Sequence, residues 1–134
     1  MSLLDPSAVL PADWDHHGYD MVPKTYWIYA FVSTDGRRAK VGLVGREERL
    51  NLRLIEIRRN CEEPGLELLA AVSIEGLTQP EAEDVEAALR LWLTRTGGLA
   101  HYPRTDWLAV PDGQEVDWQE LLQSARDAVM AWGR

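Results

Sequence analysis

The chain has 134 residues, enough for one domain with a single core, and its 46% hydrophobic and 27% charged residues are ordinary globular values. A formal net charge of −8 excludes a protein-wide cationic field for nucleic acid, and no apolar run approaches the roughly 20 residues of a membrane span. One cysteine, Cys61, excludes an internal disulfide or a cysteine-cluster zinc site, and acids stand where a signal peptide needs basic residues, so a cytoplasmic location is expected.

Residues 1–22 carry four Asp and no Lys or Arg, contain Pro6 and Pro11, and show no sustained period, which predicts an arm. Within it, His16 and His17 flanked by Asp13, Asp15 and Asp20 can be read as a metal site together with His101, or as an exposed polar arm. A core domain over 23–111 follows. Thr25–Val32 is rich in aromatic and β-branched residues and predicts a strand buried on both faces. Asp35-Gly36 is a hairpin signal, and Ala39–Val44 is the returning strand. Gly42 inside that strand marks either a close approach to the backbone or a bulge.

From Arg46 to about Asn60 the spacing of Leu50, Leu54 and Ile57 predicts a helix with a buried stripe. Cys61 continues that stripe as an apolar filler. Arg46, Arg49 and Arg53 share a neighbouring stripe, so their heads can converge at one edge. This basic charge is local: residues 37–59 hold eight Lys and Arg against three Glu. Pro64-Gly65 breaks the chain, and Leu66–Ile74 predicts a third strand closed by Glu75-Gly76. Thr78-Gln-Pro-Glu81 is a capping box that opens a second helix, which Gly97-Gly98 ends. Thr105–Val110 predicts a short edge strand or extended segment, with Trp107 packing on the core. Asp117-Trp-Gln-Glu120 is a second capping box, opening a final helix through Trp132. That helix belongs to a C-terminal segment, 112–134, expected to pack on the domain. The fold class that follows is α+β: a small three-stranded antiparallel sheet flanked by helices.

The hairpin ending in Lys40-Val41-Gly42 feeds a helix N-terminus that presents arginines. Backbone N–H groups, the helix dipole and guanidinium groups there suit a phosphate. Glu86 on the second helix is a single carboxylate of the kind that holds Mg²⁺ beside substrate phosphates. A metal, an arginine and a strand-borne Tyr or Lys suffice for phosphodiester hydrolysis. The plainer readings are a core role for Tyr26 and Tyr29, a solvated face for the arginines, and a surface ion pair for Glu86 and Arg90.

Tyr26-Trp-Ile-Tyr29, Asp35-Gly36, Lys40-Val-Gly42, Arg49-Leu50, Glu86-x-x-Leu89-Arg90 and Thr105-Asp-Trp-Leu108 in this order resemble the GIY-YIG nuclease family. The likeness covers roughly residues 25–110 and is closer to a phage-associated branch with a Lys-Ile-Gly-type second motif. It implies a GIY-YIG-like fold with an extra C-terminal helix and a metal-dependent endonuclease acting on DNA with Mg²⁺ or Mn²⁺. By the same resemblance Tyr29, Lys40, Arg49 and Glu86 are the catalytic set, with Glu86 the metal ligand. Gly42, Arg46 and Arg53 would bind substrate, and Arg46 or Arg53 stands as an alternative to Arg49 at the phosphate. The other reading is a non-catalytic module of the same fold that binds nucleic acid, or a protein partner through its acidic termini.

Overall fold

A nine-residue strand of aromatic and β-branched side chains, β1 (Lys24–Val32), is the centre of the molecule. The computed structural model describes residues 21–60, 65–102 and 105–132. The remaining elements are β2 (Arg38–Val44), α1 (Arg49–Asn60), β3 (Glu67–Leu77), α2 (Gln79–Arg95), β4 (Ala100–His101), β5 (Leu108–Ala109) and α3 (Trp118–Trp132). The sheet runs in the order β3-β1-β2-β5-β4 with every neighbouring pair antiparallel. The α+β class follows directly from this arrangement. The number of strands does not match the sequence expectation of three.

The two extra strands explain the difference. Each has two residues, too short to show a period-2 pattern. They are defined instead by one local and one long-range bond: Tyr102 N–H donates to the Trp107 carbonyl at 3.1 Å, and Val110 N–H to the Arg37 carbonyl at 2.8 Å. The Thr105–Val110 segment therefore contains a strand, but β4 lies outside it and forms the edge. β3 also runs on to Leu77 rather than closing at Glu75-Gly76. Gly76 takes a φ of +79° there, and the β1–β3 register shifts between Lys24 and Tyr26.

Strand alternation divides the sheet into two faces. Ile28, Ala30, Val32, Ala39 and Val41 pack under α2 and α3, where Leu89, Leu93, Trp118, Leu122, Ala125 and Val129 are buried. Tyr29 and Phe31 pack on the opposite face with Leu50, Leu54 and Ile57 of α1 and with Leu66 and Trp107. Each fully buried aliphatic or aromatic side chain contributes roughly 1.5–3 kcal/mol of transfer free energy, so the α1 stripe alone holds that helix on the sheet. The C-terminal helix shares the larger core rather than standing on it, although its last residue, Trp132, is 55% exposed.

The helix expected from Arg46 starts at Arg49. Arg49 N–H bonds the Arg46 carbonyl and Leu50 N–H the Glu47 carbonyl, each at 3.0 Å. These three-residue steps make 46–48 a tight turn rather than a turn of α-helix. For α2, Thr78 caps Glu81 N–H while the Glu81 carboxylate accepts Thr78 N–H, with Pro80 in the first turn. In α3 Asp117 accepts from Glu120 N–H at 3.2 Å. Among the described residues no helix is long and apolar enough to cross a membrane. The 1–20 segment, with His16, His17 and the neighbouring acids, and Cys61 lie outside the described residues.

Candidate active site

β5 pairs with β2 only at Arg38 and Ala39, so among the described residues the outer edge of β2 from Val41 onward has no strand beside it. Side chains of α2 cover it instead. Leu43 N–H donates to Glu86 Oε2 at 3.1 Å, and Arg90 Nη2 donates to the Val41 carbonyl at 3.4 Å. The surface ion pair considered for Glu86 and Arg90 is not what holds them, since each reaches the strand separately. The Arg90 Nε is buried without a hydrogen-bond partner.

Gly42 lies directly across from Tyr29 in the β1–β2 ladder, and the register there is unbroken from Trp27 to Val32. No bulge explains the glycine. A Cβ at position 42 would lie 2.5 Å from Tyr29 Oη, 2.8 Å from Tyr29 Cζ and 2.7 Å from Glu86 Oε2. The absence of a side chain is therefore what lets the phenol of β1 and the carboxylate of α2 meet at the strand edge. Their oxygens come within a few ångströms of each other around one point.

That point opens into a cleft of about 620 Å³ lined by Lys24, Arg46, Arg49, Arg53, Glu56 and Glu86 together with Tyr29 and the Leu43–Gly45 backbone. Four cations face two carboxylates there, in a chain whose net charge is −8. The N-terminus of α1 adds the positive end of its dipole, partly offset by Glu47 and Glu48 in the turn that precedes it. Arg53 is committed: it pairs with Glu56 at 3.3 Å, and its guanidinium faces the Tyr29 phenol closely enough to act on its acidity. Arg46 and Arg49 have no ion-pair partner among the described residues, so their charge is available to an incoming anion.

Burial pushes the Tyr29 hydroxyl above its ordinary range, against the opposing pull of the Arg53 guanidinium; Glu86 adds a smaller upward push. Tyr29 is therefore protonated at neutral pH. It can accept one hydrogen bond and donate another, but it is not a standing base.

Of the residues singled out from sequence, Tyr29, Gly42, Arg46, Arg49, Arg53 and Glu86 come together. Lys40 does not line the cleft. It shares the face of Gly42 one alternation back along β2, and its Nζ lies 5.3 Å from the Trp107 ring centroid. His101 is exposed on β4, and no group of three or more His, Cys, Asp and Glu able to hold a metal is found among the described residues. Two lining residues, Lys24 and Glu56, carry no signal in the sequence. Lys24 precedes an aromatic strand, and Glu56 reads as an ordinary i, i+3 helix pair.

A hard divalent cation fits what is present. Glu86 supplies one carboxylate, held at Oε2 by a backbone N–H and set beside the Tyr29 hydroxyl, with cationic side chains lining the cleft around it. Mg²⁺ is commonly held by one or two carboxylates, with waters and substrate oxygens completing the octahedron. No family model, curated protein or solved structure matches the chain.

Proposed function

We propose that the chain is a metal-dependent endonuclease that hydrolyses DNA phosphodiester bonds, with a fold similar to that of GIY-YIG nucleases. One observation carries the reading: Tyr29 Oη and Glu86 Oε2 converge on the missing side chain of Gly42 inside a cleft rimmed by cations. The order of the motifs along residues 25–110 supports the family likeness.

In this reading Arg49, with Arg46 beside it, holds the scissile phosphate and stabilises charge that builds on its oxygens. Arg53, paired with Glu56 and facing the phenol, positions Tyr29 rather than the phosphate. The protonated Tyr29 hydroxyl orients the attacking water, whose proton passes to solvent, as the new P–O bond forms, the bond to the departing sugar oxygen breaks and that oxygen takes up a proton from solvent. Glu86 would hold Mg²⁺ or Mn²⁺, which when bound lowers the pKa of water and neutralises the leaving oxygen. Lys40 has no part in these steps.

Purified protein is expected to nick plasmid DNA with Mg²⁺ or Mn²⁺ and to stop on chelation. Glu86→Gln and Arg49→Gln should each lower the rate by roughly 10²–10³, the usual effect of removing one group that stabilises the transition state. Cleavage that survives both changes, or that ignores chelator, removes the proposal. A second reading, a non-catalytic module holding nucleic acid in the same cleft, is favoured by the raised Tyr29 pKa, which leaves no base on that side chain at neutral pH. Salt-sensitive DNA binding without cleavage at any metal concentration would select it.

A further inference from the structure

Helix α2 sends two side chains to the edge of β2, and only Glu86 has a part in the steps above. Glu86 and Arg90 lie one turn apart, so both project from the same face of the helix. Glu86 Oε2 accepts from Leu43 N–H at 3.1 Å and Arg90 Nη2 donates to the Val41 carbonyl at 3.4 Å, one on each side of Gly42. Between them they bring the acceptor and the donor that a neighbouring strand would bring. The Arg90 bond is long, and Nε of the same guanidinium is buried with no hydrogen-bond partner. If the edge needed only a donor for the Val41 carbonyl, a neutral amide would serve without taking a cation out of water.

The surplus over a neutral tie is charge, and that charge lies near the site. Arg90 makes no ion pair with Glu86 among the described residues, and it is not one of the side chains that line the cleft. Its positive charge is nevertheless felt at the Tyr29 hydroxyl, where it opposes the upward push of Glu86. Arg90 therefore stands behind the point where phenol and carboxylate meet. Arg46 and Arg49, on the open side, are neutralised when a phosphate comes between them. Arg90 is reached by no phosphate, so a divalent cation approaching Glu86 always has this fixed charge at its back.

We propose that Arg90 acts on the site through Glu86: its fixed charge weakens the hold of that carboxylate on a divalent cation and so sets the metal affinity of the DNA-free chain. The proposal rests on Glu86 being the metal ligand of the nuclease reading, and its test separates the two.

Mn²⁺ alone is titrated into the full chain without DNA, and free Mn²⁺ is read by electron paramagnetic resonance. The proteins compared are the wild type, Arg90→Gln, Arg90→Lys and Glu86→Gln, each with a melting curve to check the fold. Arg90→Gln leaves an amide donor and removes the charge. It should tighten Mn²⁺ binding roughly tenfold, the order expected on removing a unit charge near a dication at an effective dielectric of about 20. The Mn²⁺ level that half-saturates plasmid nicking should fall in step. Arg90→Lys, which keeps the charge, should return the affinity to the wild-type level. A residue that merely ties α2 to β2 would give the opposite sign or none, because its loss loosens Glu86 or leaves it in place. Unchanged or weaker Mn²⁺ binding by Arg90→Gln therefore overturns the proposal, as does an Arg90→Lys chain that binds as tightly as Arg90→Gln. In either case the cleft reading stands if Glu86→Gln loses Mn²⁺. A Glu86→Gln chain that binds Mn²⁺ as the wild type does overturns both.

Discussion

Two glycines in the β1–β2 hairpin are needed for unrelated reasons, and substitution separates them. Gly36 has a φ of +73° with nothing within 4 Å of a would-be Cβ, so Gly36→Ala strains the backbone alone, costing about 1–2 kcal/mol. Gly42 has no such φ but is hemmed in by Tyr29 and Glu86. Gly42→Ala should cost about 1–3 kcal/mol by overpacking and should also abolish cleavage, because the phenol or the carboxylate must move. Thermal melts read the first quantity and plasmid nicking the second; equal nicking by the two variants would show that the close approach at Gly42 has no functional weight. Asp35 in the same turn gives a pH dependence. Bonds from Ser33 and Arg37 hold its carboxyl below the ordinary value of 3.8. Its contribution is complete above about pH 3.8, where the unfolded side chain is also ionised, and is lost as pH falls through the lower folded value. Asp35→Asn should remove that acid limb, so denaturant titrations of the two proteins should converge at low pH.

Helix α2 links stability to the site, because its capping box starts the helix that carries Glu86 and Arg90. Thr78→Ala should cost about 1 kcal/mol and lower the melting temperature by a few degrees. The helices were legible because each shows an uninterrupted stripe: Leu50, Leu54 and Ile57 of α1 are all buried at the spacing their positions predict. β4 was not, since two residues carry no period; β5 falls inside the Thr105–Val110 segment expected to be a short strand or extended stretch, but its place in the sheet is written only in the Arg37, Tyr102 and Trp107 backbone bonds. Gly42 was half legible. A bulge and a close approach leave the same mark in a sequence, and only the continuous β1–β2 register separates them. The cleft partners Lys24 and Glu56 were invisible because tertiary packing, not local pattern, brings them to Tyr29. Lys40 shows the converse: a motif position that the strand directs toward Trp107 instead of the cleft.

At the scale of the molecule, helices close both long edges of the sheet with side chains rather than strands. On the β3 side, Gln119 Nε2 donates to the Ala71 carbonyl at 3.4 Å and Arg126 Nη1 to the Ser73 carbonyl at 3.1 Å. Exposed strand edges invite pairing with another chain, and polar cover of this kind opposes it. Gln119→Ala with Arg126→Ala should therefore promote concentration-dependent self-association, visible in sedimentation, while the monomer keeps its secondary structure. Unchanged sedimentation at high concentration would mean that these bonds do not guard the edge.

On the other side, the short reach of β5 has a sharper outcome. The Leu43 amide that donates to the carboxylate of α2 is the amide a longer neighbouring strand would claim for its own ladder. Extending the β4–β5 hairpin by a few residues would zip a carbonyl onto that amide and evict Glu86. An insertion far from any reactive group would then silence the protein while making its sheet more complete.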